Sequence, residues 1–120
     1  RAVAAYNVRG REPGGGPFHR KGIDNGYVLD FQGTRVYVAG DTEKIREMEG
    51  LGPIDIAFLP ILQPYCMDEA GCLAALQVIK PRVFYPYHYM NPFTGARSEI
   101  RHVVENATAL GIEVRTPRIY

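Results

Sequence analysis

At 120 residues with a net charge of +1 from 14 basic and 13 acidic side chains, the chain has the length of one domain. Its charges are mixed along the sequence, so nothing offers an electrostatic surface to nucleic acid or to an anionic membrane. No apolar run approaches the ~18 residues a spanning helix needs, and no charged-then-apolar leader precedes the first strand-like residues.

The chain opens at Arg1 instead of a methionine, as expected of a piece cut from something longer. Residues 2–6 (Ala-Val-Ala-Ala-Tyr) predict a short strand, and residues 8–21, with Pro13, Pro17 and Gly14-Gly15-Gly16, predict a mobile loop. Those glycines do not open a helix after a strand, so they do not form a phosphate cradle. Residues 26–31 and 34–39 alternate apolar and polar around Gln32-Gly33 and predict a hairpin. Residues 43–49 predict about two helical turns stopped by Gly50, and residues 54–59 a strand ended by Pro60. Asp68 is placed to cap a helix running to Lys80, with Cys72, Leu73, Leu76 and Ile79 on one face and Pro81 as terminator. Gly71 inside it costs about 1 kcal/mol of helix propensity. Residues 82–85 predict another strand. Ser98 is placed to cap a last helix with the stripe Ile100, Val103, Val104, Ala107 and Leu110, ending at Gly111, and residues 112–115 close as a strand.

A hairpin followed by alternating strands and helices defines a mixed α/β class, with residues 1–120 forming one domain. The strands around Phe58 and Phe84 are apolar without strict alternation, which predicts cover on both faces. Two helices and a short one cover a single face. The other needs a partner layer, so an obligate dimer or higher oligomer is expected.

Chemistry concentrates at two strand ends. Val38-Ala39-Gly40-Asp41-Thr42 delivers a carboxylate and Val83-Phe84-Tyr85-Pro86-Tyr87-His88-Tyr89 an imidazole, and ligands collect beyond the carboxyl ends of strands in open α/β sheets. Each has a plainer reading: Asp41 as the cap of a helix starting near Thr42, His88 as a hydrogen-bonded residue among tyrosines. His19 is either solvated or substrate-facing, or it approaches the same cleft. Lys21 is either a solvated loop lysine or a contact for an anionic substrate group, and Tyr87 either packs or lines a pocket. His102 lies on the polar side of the last helix and is expected to do nothing chemical. Of three histidines none forms an H-x-H or H-x-x-x-H pair, so the chain by itself cannot build a two-metal hydrolytic centre. Cys66 and Cys72 form neither a C-x-x-C pair nor a disulfide framework; both are expected as buried or semi-buried thiols, in keeping with a reducing cytoplasm, and apart from any metal.

In order along the chain stand Ala4-Ala5-Tyr6-Asn7, Phe18-His19-Arg20-Lys21-Gly22, Asn25-Gly26-Tyr27-Val28-Leu29, Arg35-Val36-Tyr37-Val38-Ala39-Gly40-Asp41-Thr42, Ile54-Asp55-Ile56-Ala57-Phe58-Leu59-Pro60-Ile61 and Pro86-Tyr87-His88-Tyr89. With these the chain resembles the C-terminal half of a metallo-β-lactamase-fold protein, on the branch of metal-dependent hydrolase-like proteins that includes ascorbate-6-phosphate lactonases. The resemblance implies half of an αββα sandwich, a mixed sheet with helices on one face. It matches Asp41 to the carboxylate that bridges two metals and His88 to the last histidine ligand, with His19, Lys21, Thr42 and Tyr87 as further candidates for the cleft. Arg20 replaces a proline common in related sequences.

The H-x-H-x-D-H signature of the family's N-terminal half does not occur in these residues. The resemblance therefore implies a metal-dependent hydrolase of esters, lactones or phosphoesters that is incomplete and weakly active or inactive alone. The implied cofactor is a divalent ion, zinc first with manganese or iron as alternatives, at low occupancy. The implied partner is a missing N-terminal half or a second copy, with a small-molecule substrate if active. The alternative is a non-catalytic, self-associating remnant of the fold with a vestigial metal site.

Overall fold

A computed structural model describes residues 1–117. It contains six strands, β1 (Ala2–Ala5), β2 (Asp24–Phe31), β3 (Thr34–Val38), β4 (Ile56–Pro60), β5 (Val83–Tyr87) and β6 (Glu113–Val114), and two α-helices, α1 (Glu69–Ile79) and α2 (Arg101–Ala109). All strands join one sheet in chain order, with β1–β2 and β2–β3 antiparallel and β3–β4, β4–β5 and β5–β6 parallel. The mixed α/β class expected from the sequence is what forms.

The β2–β3 hairpin turns through Gln32 and Gly33, both at positive φ (54° and 93°), the primed turn whose twist matches its strands. The Asp30 carboxylate accepts from the Gly33 amide at 2.8 Å and closes it. Asp68 caps α1 as expected, accepting from the Gly71 amide at 2.6 Å.

Strand order never reverses along the parallel half. Right-handed crossovers that always step the same way must all fall on one side of the sheet. There α1, α2 and a 3₁₀ turn (Arg46–Gly50) bury a core of Tyr37, Ala57, Leu59 and Phe84 with Ile45, Met48, Cys72, Leu76, Val103 and Ala107. The opposite face stays bare. Tyr27, Leu29 and Phe31 of β2 are 49%, 41% and 61% exposed, and Val36, Val38, Ile56, Phe58 and Tyr85, half-exposed, continue that face across the register. The two-sided cover expected for β4 and β5 is thus absent among the described residues.

Four local expectations are corrected. The helix predicted over 43–49 is only the 3₁₀ turn, because Thr42 and Glu43 are held by side-chain bonds to the loop after β1. The strand predicted over 54–59 starts only at Ile56 and includes Pro60, which pairs with Tyr87 as its last residue. Ser98 does not cap α2, which starts after Ile100 without a side-chain cap, and its amide instead donates to the Tyr89 carbonyl. Leu110 is half exposed and lies outside the buried stripe.

Candidate metal centre

Asp41 follows β3 through Gly40, whose φ of 71° turns the chain outward at the sheet edge. His88 leaves β5 at φ 49°, a left-handed conformation that costs a non-glycine residue on the order of 1–2 kcal/mol. Strain of this kind is characteristic of residues whose position matters for function. Between these strand ends the Tyr87 hydroxyl donates to the Gly40 carbonyl at 2.8 Å, fixing one relative to the other. Burial first, and then the charge of Asp41, hold the Tyr87 phenol well above its ordinary pKa, so it remains a donor.

The Asp41 carboxylate has a histidine on each oxygen. His88 Nε2 lies 3.8 Å from Oδ1 and His19 Nε2 3.7 Å from Oδ2. Both separations are too long for hydrogen bonds. They are close to the roughly 3.3–3.6 Å that separates two ligand atoms on one tetrahedral ion, given metal–ligand bonds of about 2.0–2.2 Å for nitrogen and oxygen. Each Asp41–histidine pair is therefore spaced as two ligands of a divalent metal, one pair on each carboxylate oxygen. His19 turns its other nitrogen, Nδ1, toward Asp24 Oδ2 at 3.5 Å, without a hydrogen bond between them. Asp41 does not cap a helix, since residues 42–45 are not helical.

The three side chains face a cleft of about 160 Å³ whose remaining wall is Leu62, Tyr65, Pro92 and Phe93. Cys66 does not line this cleft but lies close to two of its ligand-bearing residues. One ligand atom each from Asp41, Cys66 and His88 lies within 4.8 Å of the others, although the sequence set both cysteines apart from any metal. Both are buried free thiols, as expected, but only Cys72 also lies apart from the site, fully buried in the helical core.

Asn7 is a residue that the sequence reading did not single out for the site. It is 6% exposed; its Oδ1 accepts from the His19 amide at 2.6 Å and its Nδ2 donates to the Tyr65 carbonyl at 2.8 Å. One amide side chain thus fastens the segment carrying His19 to the turn carrying Cys66. Glu43, also buried, accepts from the amides of Val8, Arg9 (2.5 Å) and Gly10 (3.2 Å) and shapes the start of the same loop.

The other sequence candidates sit outside the cleft. Lys21 donates to Glu47 Oε1 at 2.6 Å and lies 4.7 Å from the Tyr6 ring centroid. Thr42 is fully buried, accepting from the Tyr6 amide at 3.1 Å. Tyr87 acts through its bond to Gly40 rather than as lining. His102 is exposed on α2, its Nδ1 3.4 Å from Asn106 Nδ2.

Residues 1–88 match the family model described as the beta-lactamase superfamily domain. The chain belongs to the metallo-β-lactamase superfamily. It is 38% identical over 101 residues to a UPF0173 metal-dependent hydrolase of Methanocaldococcus jannaschii, covering 82% of this chain and 45% of that protein. To a UPF0173 metal-dependent hydrolase of Archaeoglobus fulgidus it is 31% identical over 115 residues, covering 93% and 49%. Among solved structures, a Parabacteroides distasonis protein superposes with a TM-score of 0.86 and 41% identity over 100% of this chain and 50% of that one. Igni18, a metallo hydrolase from Ignicoccus hospitalis, gives 0.70 and 32% over 81% and 43%. The chain therefore spans about half the length of the relatives it matches.

Proposed function

We propose that this chain is the metal-holding half of a metal-dependent hydrolase, acting on an ester, lactone or phosphoester of a small molecule once a second sheet covers its bare face. The observation that carries this reading is the Asp41 carboxylate set between His19 and His88 at 3.7 and 3.8 Å. Zinc suits the ligands first, and manganese or iron would be held by the same oxygen and nitrogen donors. When bound, a divalent ion lowers the pKa of a coordinated water and polarises the scissile oxygen. Asp41 offers one oxygen to each histidine's side of the cleft, the disposition of a bridging carboxylate. Leu62, Tyr65, Pro92 and Phe93 form an apolar wall for the part of the substrate that does not react.

Catalytic zinc sites ordinarily use three protein ligands and an open position. A two-metal site needs more than Asp41, His19 and His88, so this chain alone is expected to turn over substrate no faster than metal-supplemented buffer. A second reading, a self-associating fold remnant with a vestigial site, is favoured by the exposed row Tyr27, Leu29 and Phe31. Calorimetric zinc titration tests the first. Binding is expected in the wild type, lost in His88→Ala and unchanged in Cys72→Ser. Equal binding in the wild type and His88→Ala would remove the metal reading, and turnover abolished by chelator and by Asp41→Ala would remove the expectation of inactivity.

A further inference from the structure

We infer that Cys66 is a metal ligand of this chain, so that its cleft presents a sulfur beside the carboxylate and imidazoles and prefers borderline-soft ions. The inference rests on the metal-binding reading of the same cleft, but its outcome is separable from it.

Position is the first support. Cys66, 1% exposed, places its sulfur within 4.8 Å of ligand atoms of both Asp41 and His88. Those separations need to contract by about 1 Å to reach the spacing of ligands on one tetrahedral ion. The second support is how the turn is held. The Cys66 amide donates to the Leu62 carbonyl at 2.7 Å, and Asn7, which also grips the His19 amide, donates to the adjacent Tyr65 carbonyl at 2.8 Å. The same side chain thus helps to place an imidazole and a thiol near one carboxylate. Cys72 is the contrast: it is as deeply buried, yet it belongs to α1 and packs into the apolar core.

On binding, the S–H bond breaks heterolytically, its proton leaves to solvent and the freed lone pair forms the metal–sulfur bond. No oxidation state changes. Thiolate ligands favour zinc and cobalt over manganese, which prefers oxygen.

Cobalt(II) titration of the 120-residue protein provides the test. Visible d–d bands report an ion in the cleft, and a near-ultraviolet sulfur-to-cobalt charge-transfer band reports the thiolate. The charge-transfer band is expected in the wild type and in Cys72→Ser and absent in Cys66→Ser. Since the chain has two cysteines, the wild type and Cys72→Ser together locate the sulfur even where Cys66→Ser folds poorly. Where Cys66→Ser folds, zinc affinity should fall about 10-fold or more, with manganese affinity changing less than about 3-fold. Bands in the visible without charge transfer, or charge transfer lost in Cys72→Ser, would overturn the assignment of Cys66 and leave the metal reading standing. No cobalt spectrum at all would overturn both.

Discussion

Replacing Asn7 by alanine removes two hydrogen bonds that cross the fold, to the His19 amide at 2.6 Å and the Tyr65 carbonyl at 2.8 Å. Each bond contributes about 1 kcal/mol net, and the two backbone groups left behind are only partly able to find water. The expected loss of stability is therefore about 2–3 kcal/mol. For a chain of 120 residues, an unfolding entropy of about 2.1 cal/mol/K per residue makes 1 kcal/mol worth about 4 °C, so the midpoint should fall by roughly 8–12 °C. Thermal denaturation followed by circular dichroism measures that fall, and urea denaturation the loss of free energy. Asn7→Asp separates the two arms, because a carboxylate still accepts from the His19 amide but cannot donate to the Tyr65 carbonyl and repels it. Zinc affinity should drop about 10- to 100-fold in Asn7→Ala, since the loss acts on the orientation of His19. An Asn7→Ala protein with unchanged urea midpoint and unchanged slope would show that neither loop depends on the amide.

The other expectations concern stability and assembly. Lys80 sits at φ 50° as the C-cap of α1, so Lys80→Gly should stabilise the fold by about 0.5–1 kcal/mol, read as a higher urea midpoint; a lower one refutes the cap argument. Burial holds the Tyr37 phenol and the Cys72 thiol above their ordinary values of 10.0 and 9.0, Asp68 adding to the second. Folded pKa values raised in this way give stability that is complete below those ordinary values and is lost above them, so the urea midpoint should decline from about pH 9 upward. A midpoint equal at pH 8 and about pH 10.5 would contradict it. The bare sheet face predicts a dimer or larger species, and light scattering that returns a 13.4 kDa particle at micromolar concentration would refute that.

Much of the architecture was legible because local and global signals agreed. Alternation around Gln32-Gly33, the Asp68 cap and the helical stripe of Cys72, Leu76 and Ile79 each encode their element within a few residues. The segment 42–49 misled because its helix propensity lost to tertiary bonds: Thr42 and Glu43 are fastened to Tyr6, Arg9 and Gly10, more than 30 positions away in sequence. Asp41 and His88 were legible as strand-end residues. Cys66 was not, since its place depends on a turn held by Asn7, and nothing in the spacing of Cys66 and Cys72 reports that turn.

The one-sidedness of the fold and the composition of the cleft have a common origin. Because β3 to β6 add in one direction, every right-handed connection deposits its helix on the same side, and the sheet's other side keeps its apolar residues in view. The ligand-bearing residues, by contrast, stand at strand ends and in the loop before β2. On the proposed reading, a partner layer that buried Tyr27, Leu29 and Phe58 would bring its own strand ends beside these and add ligands to Asp41, His19 and His88. Covering the face and completing the site then become one event. A partner that masked the sheet without strengthening metal binding would separate them, and comparing zinc affinity in monomeric and assembled fractions of the same preparation distinguishes the two.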